Sequence, residues 1–234
     1  FTLQVDVPRV ESFLPGQFLH LGIQIPGEPG AEPKLINRPY SVASPHSNKL
    51  EFFIVVVDDG ELTPRLWQLN EGDGVLVSQR AAGSFTLRKA PTFENLWLFA
   101  TGTGLAPYIA MIRDPFVWQQ HQRVFIVHGV RMKSDLAYTD ELREFEKQLP
   151  ERFKVFQTLS REQAEGCLSG RITDILENGT LEQGASVAIG PDNSTVMLCG
   201  NPAMLDSMEQ LLNQRGLRLH RSKSPGNIVL ERYW

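Results

Sequence analysis

The rhythm of the apolar segments changes once along the chain, near residue 90, and this change constrains the fold more than any single motif does. Before it, the apolar runs are short, rich in β-branched and aromatic residues, and separated by turn residues: "FTLQV", "GQFLHLGIQI", "LEFFIVVV" and "GVLVSQ". Such runs predict an antiparallel β-barrel or sandwich. After "RKAPTF", strands at "NLWLFA", "RVFIVHG", "KVFQTLS" and "TVMLCG" alternate with helices expected from about Leu105, Asp135, Ile172 and Pro202. That alternation predicts an α/β domain with a parallel sheet covered on both faces. The 234 residues suffice for two modest cores, and the expected domains are 1–90 and 91–234. In the first, "PGEPGAEPKLINRP" reads as a loop on its prolines and glycines. "LTPRLWQLN" reads as a helix with Thr63 as N-cap and Pro64 at the first helical position, its N-terminus a candidate anion site.

Composition narrows the function classes. No apolar run reaches the roughly 20 residues of a membrane helix, and "FTLQVDVPRV" lacks a signal-peptide layout, so a cytoplasmic protein with no membrane partner is expected. The opening strand pattern, without methionine or cap, suggests that a leading strand precedes it. Two cysteines, Cys167 and Cys199, show no C-x-x-C spacing, so neither a metal site nor a four-cysteine iron-sulfur cluster is expected. Redox chemistry would need an organic cofactor. A net charge of −4 argues against nucleic acid.

The distinctive motifs of the second half all fall after its strands, where ligands of parallel sheets bind. In "LFATGTGLAPY", Gly102, Thr103 and Gly104 form a turn that can approach a ligand and feed a helix whose N–H groups suit a pyrophosphate. An isolated G-x-G is equally an ordinary strand-to-helix turn, and Pro107 departs from the Rossmann G-x-G-x-x-G pattern. Arg131, Ser160, Arg161 and Arg171 follow neighbouring strands. Guanidinium forks match a ribose 2′-phosphate, which favours NADP over NAD, whereas any one of them alone would read as a solvated surface arginine. Cys199, followed by Gly200 and Asn201, ends a strand at the mouth of the cleft; with no histidine–carboxylate partner nearby, it reads as a steric and orienting residue rather than a nucleophile.

"RPYS", "ATGTGLAP", "CGNP" and the aromatic C-terminus, in this order, resemble the ferredoxin–NADP reductase family, the bacterial ferredoxin/flavodoxin reductases most of all, over essentially the whole chain. The resemblance implies that a β-barrel domain binds FAD and an α/β domain binds NADP(H). Arg38 would pair with the flavin nucleotide's phosphates, Tyr40 would stack on the isoalloxazine, and Ser41 would hydrogen-bond near its N5, with Pro39 a tolerated variant between them. Phe53, Ile54 and Val55 resemble the strand that lines FAD; Glu61, Leu62 and Thr63 resemble the turn that receives its pyrophosphate; Thr101 would touch the flavin from the second domain. Arg131, Ser160, Arg161 and Arg171 match the NADP phosphate site, and Cys199 matches the cysteine beside the nicotinamide. Glu231 corresponds to a carboxylate implicated in proton or electron exchange. Tyr233 matches the plant-type terminal tyrosine that covers the flavin, and Trp234, an addition beyond it, would lie beside the adenine; alternatively both complete an apolar strand.

The implied activity is hydride transfer between NADP(H) and FAD, coupled to single-electron exchange with ferredoxin or flavodoxin, by a monomer. An acidic carrier would need a basic patch, for which Arg113, Arg123, Lys133 and the "RLHRSKS" run are candidates. The alternatives are a flavin reductase component feeding an oxygenase and a non-enzymatic nucleotide-binding redox sensor.

Overall fold

The computed structural model describes residues 1–27 and 32–232. Its first strands are β1 (Thr2–Asp6), β2 (Phe18–Ile25), β3 (Lys34–Ser41) and β4 (Lys49–Phe53), followed by the short helix α1 (Thr63–Trp67) and β5 (Leu76–Val77). β1 pairs with β4, and β3, β2 and β5 form a second antiparallel sheet. A bridge between Val42 and Phe52 joins the two. Leu19, Leu21, Val42, Leu50 and Phe52, all fully buried, fill the space between them. The layer is barrel-like; among the described residues the barrel does not close.

Four local expectations are corrected here. The latter part of the proline-rich "loop" is strand β3, paired with β2 through eight residues. Pro39 is compatible because His20, opposite it, turns its amide and carbonyl toward Ser78 on the other side of β2. The pair is thus not hydrogen-bonded, and on an edge strand the missing N–H of proline costs no ladder bond. β4 stops at Phe53; Ile54 instead exchanges backbone hydrogen bonds with Phe1, and Val55 is exposed. Only Leu76–Val77 of "GVLVSQ" is strand. The N-cap of α1 is Leu62, while the Thr63 hydroxyl accepts a bond from the Val57 amide.

The second half runs β6 (Asn95–Thr101), α2 (Ala106–Arg113), α3 (Pro115–Gln120), β7 (Arg123–Val130), α4 (Thr139–Gln148), β8 (Phe153–Leu159), β9 (Leu168–Ser169), α5 (Ile172–Glu177), α6 (Thr180–Ala185), β10 (Ser194–Gly200), α7 (Pro202–Gln214) and β11 (Ile228–Arg232). These strands form one parallel sheet in the order β11-β10-β6-β7-β8-β9. The helix expected from Asp135 begins at Thr139, after a 3-10 turn at Lys133–Asp135. Alternate residues of β6 serve opposite cores, since Leu96, Leu98 and Ala100 pack toward α2 and α4 while Trp97 and Phe99 pack toward α5 and α7. Ala43, Phe53 and Phe85 join the first of these cores, so the antiparallel layer packs on the α2 face. The chain leaves β6 for β7 on one side and later returns for β10 on the other. The connections leaving the carboxyl ends of β6 and β10 therefore diverge to opposite faces, which makes a crevice at that edge.

Candidate active site

Ser41, Cys199 and Glu231 meet at this crevice. Parallel pairing places Cys199 beside Glu231 on β11 and Ala100 on β6. The antiparallel layer brings in the end of β3, where the buried Ser41 hydroxyl donates a long hydrogen bond of 3.4 Å to the Glu231 carboxylate. Burial raises the Glu231 pKa to about 7, with the Ser41 bond pulling weakly the other way. A carboxyl with a midpoint near neutrality can both hold and release a proton under ordinary conditions. Cys199 is fully buried, not at the open mouth of the cleft as expected; it forms the floor behind the turn at Gly102–Leu105.

The glycines divide the labour differently from the expectation. A Cβ on Gly104 would lie 2.4 Å from the Cys199 carbonyl oxygen, so Gly104 lets the turn sit against β10. Gly200, at φ +132, plays the matching part, since a Cβ there would lie 2.2 Å from the Thr101 hydroxyl oxygen. That hydroxyl accepts from the Asn201 amide at 2.8 Å, and the Asn201 side chain caps α7 through Ala203 and Met204. Gly102, at φ +53, has open space where its Cβ would be, so its place in the turn is set by its backbone conformation and not by close packing. Its carbonyl accepts from the fully buried His128 at 3.0 Å. Burial depresses the His128 pKa to about 4, so the ring is neutral with its proton on Nε2. The sequence pattern pointed to Arg131, just after this strand, and not to this histidine.

Two groups of cations stand out, one on each half of the molecule. On the antiparallel side, Lys34 pairs with Glu61 at 3.0 Å, Arg65 donates to the Glu61 carbonyl, and the exposed Arg38 donates to the Asn37 carbonyl at 2.7 Å. The Lys34 hydrogen bond, reinforced by the charges of Lys34, Arg38 and Arg65, holds the Glu61 carboxyl below its ordinary range. Among the described residues the amides of Glu61, Leu62 and Thr63 meet no acceptor at this helix start. Three cations around open amides fit a pyrophosphate. Tyr40, half-buried beside Arg38, has its phenol pKa raised by burial and lowered by that arginine, and so presents a neutral ring.

On the parallel side, the Arg161 amide bonds the Arg131 carbonyl and the Ser160 amide bonds the Val130 carbonyl, each at 3.0 Å, which sets Arg131 and Arg161 side by side. The Gly170 amide bonds the Leu159 carbonyl, and this brings Arg171, the N-cap of α5, to the same edge. All three arginines are exposed, and among the described residues none is in an ion pair. A cluster of like charges with no protein counterion fits a ligand phosphate.

The family model of the oxidoreductase NAD-binding domain matches residues 98–210, the stretch that carries the crevice turn and the arginine cluster. The flavodoxin/ferredoxin–NADP reductase of Escherichia coli K12 is 39% identical across all of this chain and 92% of its own length; that of Buchnera aphidicola subsp. Baizongia pistaciae is 36% identical over the same shares. The chain belongs to the flavodoxin/ferredoxin–NADP reductase family. A crystal structure of a ferredoxin NADP+ reductase from Neisseria gonorrhoeae, with FAD and NADP bound, has a TM-score of 0.90 and 29% identity, covering 99% of this chain and 91% of that one.

For a member of this reductase family the expected carrier patch needs correction. Arg113 is half-buried in an ion cluster, and Arg123 pairs with Glu94 at the start of β7, the edge opposite the crevice. The "RLHRSKS" run precedes β11 at that same far edge. Lys133 alone of these lies near the carboxyl ends. Tyr233 and Trp234 lie outside the described residues. No helix among the described residues is long and apolar enough to cross a membrane, and they contain no cluster of potential metal ligands.

Proposed function

We propose that this reductase transfers hydride between NADP(H) and FAD and passes single electrons between FAD and ferredoxin or flavodoxin, as a cytoplasmic monomer. The observation that carries the reading is the contact of Ser41 with Glu231, which joins the end of β3 to the crevice of the parallel sheet at 3.4 Å. FAD, when bound, supplies the exchange between a two-electron nicotinamide and a one-electron carrier.

Residues 1–90 hold FAD. Arg38, with Lys34 and Arg65, engages its phosphates together with the amides of Glu61, Leu62 and Thr63; Tyr40 offers its ring face and Pro39 stiffens the strand. Backbone at Phe53, Ile54 and Val55 lines the same side, and Thr101 reaches it from the second domain. Residues 91–234 hold NADP(H). The turn at Gly102 and Thr103, seated against β10 through Gly104, admits the pyrophosphate; Arg131, Ser160, Arg161 and Arg171 take the 2′-phosphate; Cys199, Gly200 and Asn201 shape the nicotinamide end. Ser41 orients the reacting ring, and Glu231 exchanges a proton with it through the Ser41 hydroxyl, which its near-neutral midpoint supports.

The test is FAD uptake by the purified chain, followed by dye reduction with NADPH and with NADH. Yellow protein with strong NADPH preference is expected. Protein that gains no flavin absorbance when FAD is added would overturn the proposal.

A further inference from the structure

Arg113, the last residue of α2, reaches across the joint between the two layers. Its Nε and Nη2 form a fork to the Glu141 carboxylate on α4, each bond 2.7 Å. Its Nη1 donates to the Ala43 carbonyl at 2.9 Å and to Glu51 Oε1 on β4 at 3.1 Å. The Tyr138 hydroxyl donates to the same Glu51 oxygen at 2.9 Å, and the Tyr138 ring lies 5.6 Å from the guanidinium carbon. Tyr138 holds a left-handed backbone, φ 56, at the start of α4, a conformation uncommon for an aromatic residue. Burial opposes the charge on Arg113, but the carboxylates of Glu141 and Glu51 outweigh it and hold the pKa above the ordinary arginine value. Burial, with the Glu51 charge, raises the Tyr138 phenol and keeps it a donor.

Ala43 lies two residues beyond Ser41. The intervening segment is tied to the antiparallel layer by the Val42 amide to Gln17, the Ala43 amide to Glu51, and the Ser44 hydroxyl, which accepts from the Glu51 amide. Among the described residues, Arg113 is the one side chain of the parallel half that bonds the backbone of 41–44. We propose that Arg113 is a positioning residue, a clamp that fixes the segment after β3 from the nucleotide-binding side and so sets Ser41 against Glu231. The 3.4 Å Ser41–Glu231 bond is at the long limit of a hydrogen bond, so a small slip of the segment breaks it. A guanidinium is suited to the task because its rigid fork engages three acceptors from three elements at once. The catalytic consequence rests on the function proposed above; the clamp itself does not.

A double-mutant cycle between Arg113 and Ser41 tests this, with two readouts. In the FAD-loaded protein, Arg113→Met should slow flavin reduction at saturating NADPH by about tenfold, the scale of one lost hydrogen bond. The KM for NADPH and FAD retention should stay within about twofold, because Arg113 touches neither proposed phosphate group. Combining Arg113→Met with Ser41→Ala should slow the step no further than Ser41→Ala alone, and Arg113→Lys should restore part of the rate. In the FAD-free protein, hydrogen exchange at the Val42, Ala43 and Ser44 amides should accelerate in Arg113→Met and stay at the wild-type rate in Ser41→Ala. If Arg113→Met does not fold, the same cycle is run with Glu141→Gln, which keeps the shape and weakens the fork. Additive rate losses, or unchanged exchange, would overturn the clamp. A wild-type protein that binds FAD but is not reduced by NADPH would instead overturn the function, leaving the exchange arm to decide the clamp.

Discussion

The two cation groups, one on the antiparallel half and one on the parallel half, differ in how far the protein itself satisfies them. Lys34, Arg38 and Arg65 lean on Glu61 and on backbone carbonyls, so the group is partly neutralised and held in shape before any ligand arrives. Arg131, Arg161 and Arg171 project from strand ends with no protein counterion among the described residues. A preset site suits a cofactor that stays, and an unbalanced one suits a phosphate that comes and goes, because the unpaired charge is most of what that phosphate gains.

The sharpest way to break this contrast is at the unbalanced group. Arg161→Ala combined with Arg171→Ala should lower kcat/KM for NADPH by about 10³-fold and for NADH by less than about threefold, since two charge-assisted bonds to one phosphate are lost. Equal losses with the two nucleotides would remove the distinction. At the preset group, Arg38→Ala should weaken FAD by only about tenfold, because Lys34, Arg65 and the helix-start amides remain. Isothermal titration of the apo-protein measures it, and a loss as large as that of the double arginine variant would show that the two groups work alike.

An effect on stability rather than on binding is expected where the regions meet. The unfolded chain releases the Glu231 proton near 4.5 and the folded protein near 7, so the folded state binds more protons in between. Stability therefore falls as pH rises through that window and levels off above it. Glu231→Gln should flatten this slope, measured as denaturation midpoints across the same window, and a slope unchanged by the substitution would place the titration elsewhere.

The same two regions also differed in how much of them was legible. β6 and β10 are buried nearly throughout, so they read as unbroken apolar runs and were placed to within a residue or two. β3 carries buried residues only at Ile36 and Ser41, with Leu35 exposed and a proline inside, so neither alternation nor propensity marked it. Its strand character comes from β2, which no local window contains. The strand-end motifs were legible because the topology of parallel sheets gathers them at one edge. Arg113 was not. Its partners come from the segment after β3, from β4 and from α4, and its charge alone suggested a surface patch. His128 was hidden for the reverse reason, since an apolar strand ending in histidine and glycine shows nothing of the carbonyl it supports.

The central claim is that hydride passes where the end of β3 meets the crevice of the parallel sheet. Anaerobic single-turnover reduction of the FAD-loaded protein by NADPH, compared between wild type and Ser41→Ala, tests it most directly. The account predicts that Ser41→Ala retains FAD and is reduced about ten times more slowly at saturating NADPH, because one orienting hydrogen bond is lost while the binding groups remain. Flavin reduction at the wild-type rate in Ser41→Ala would contradict it.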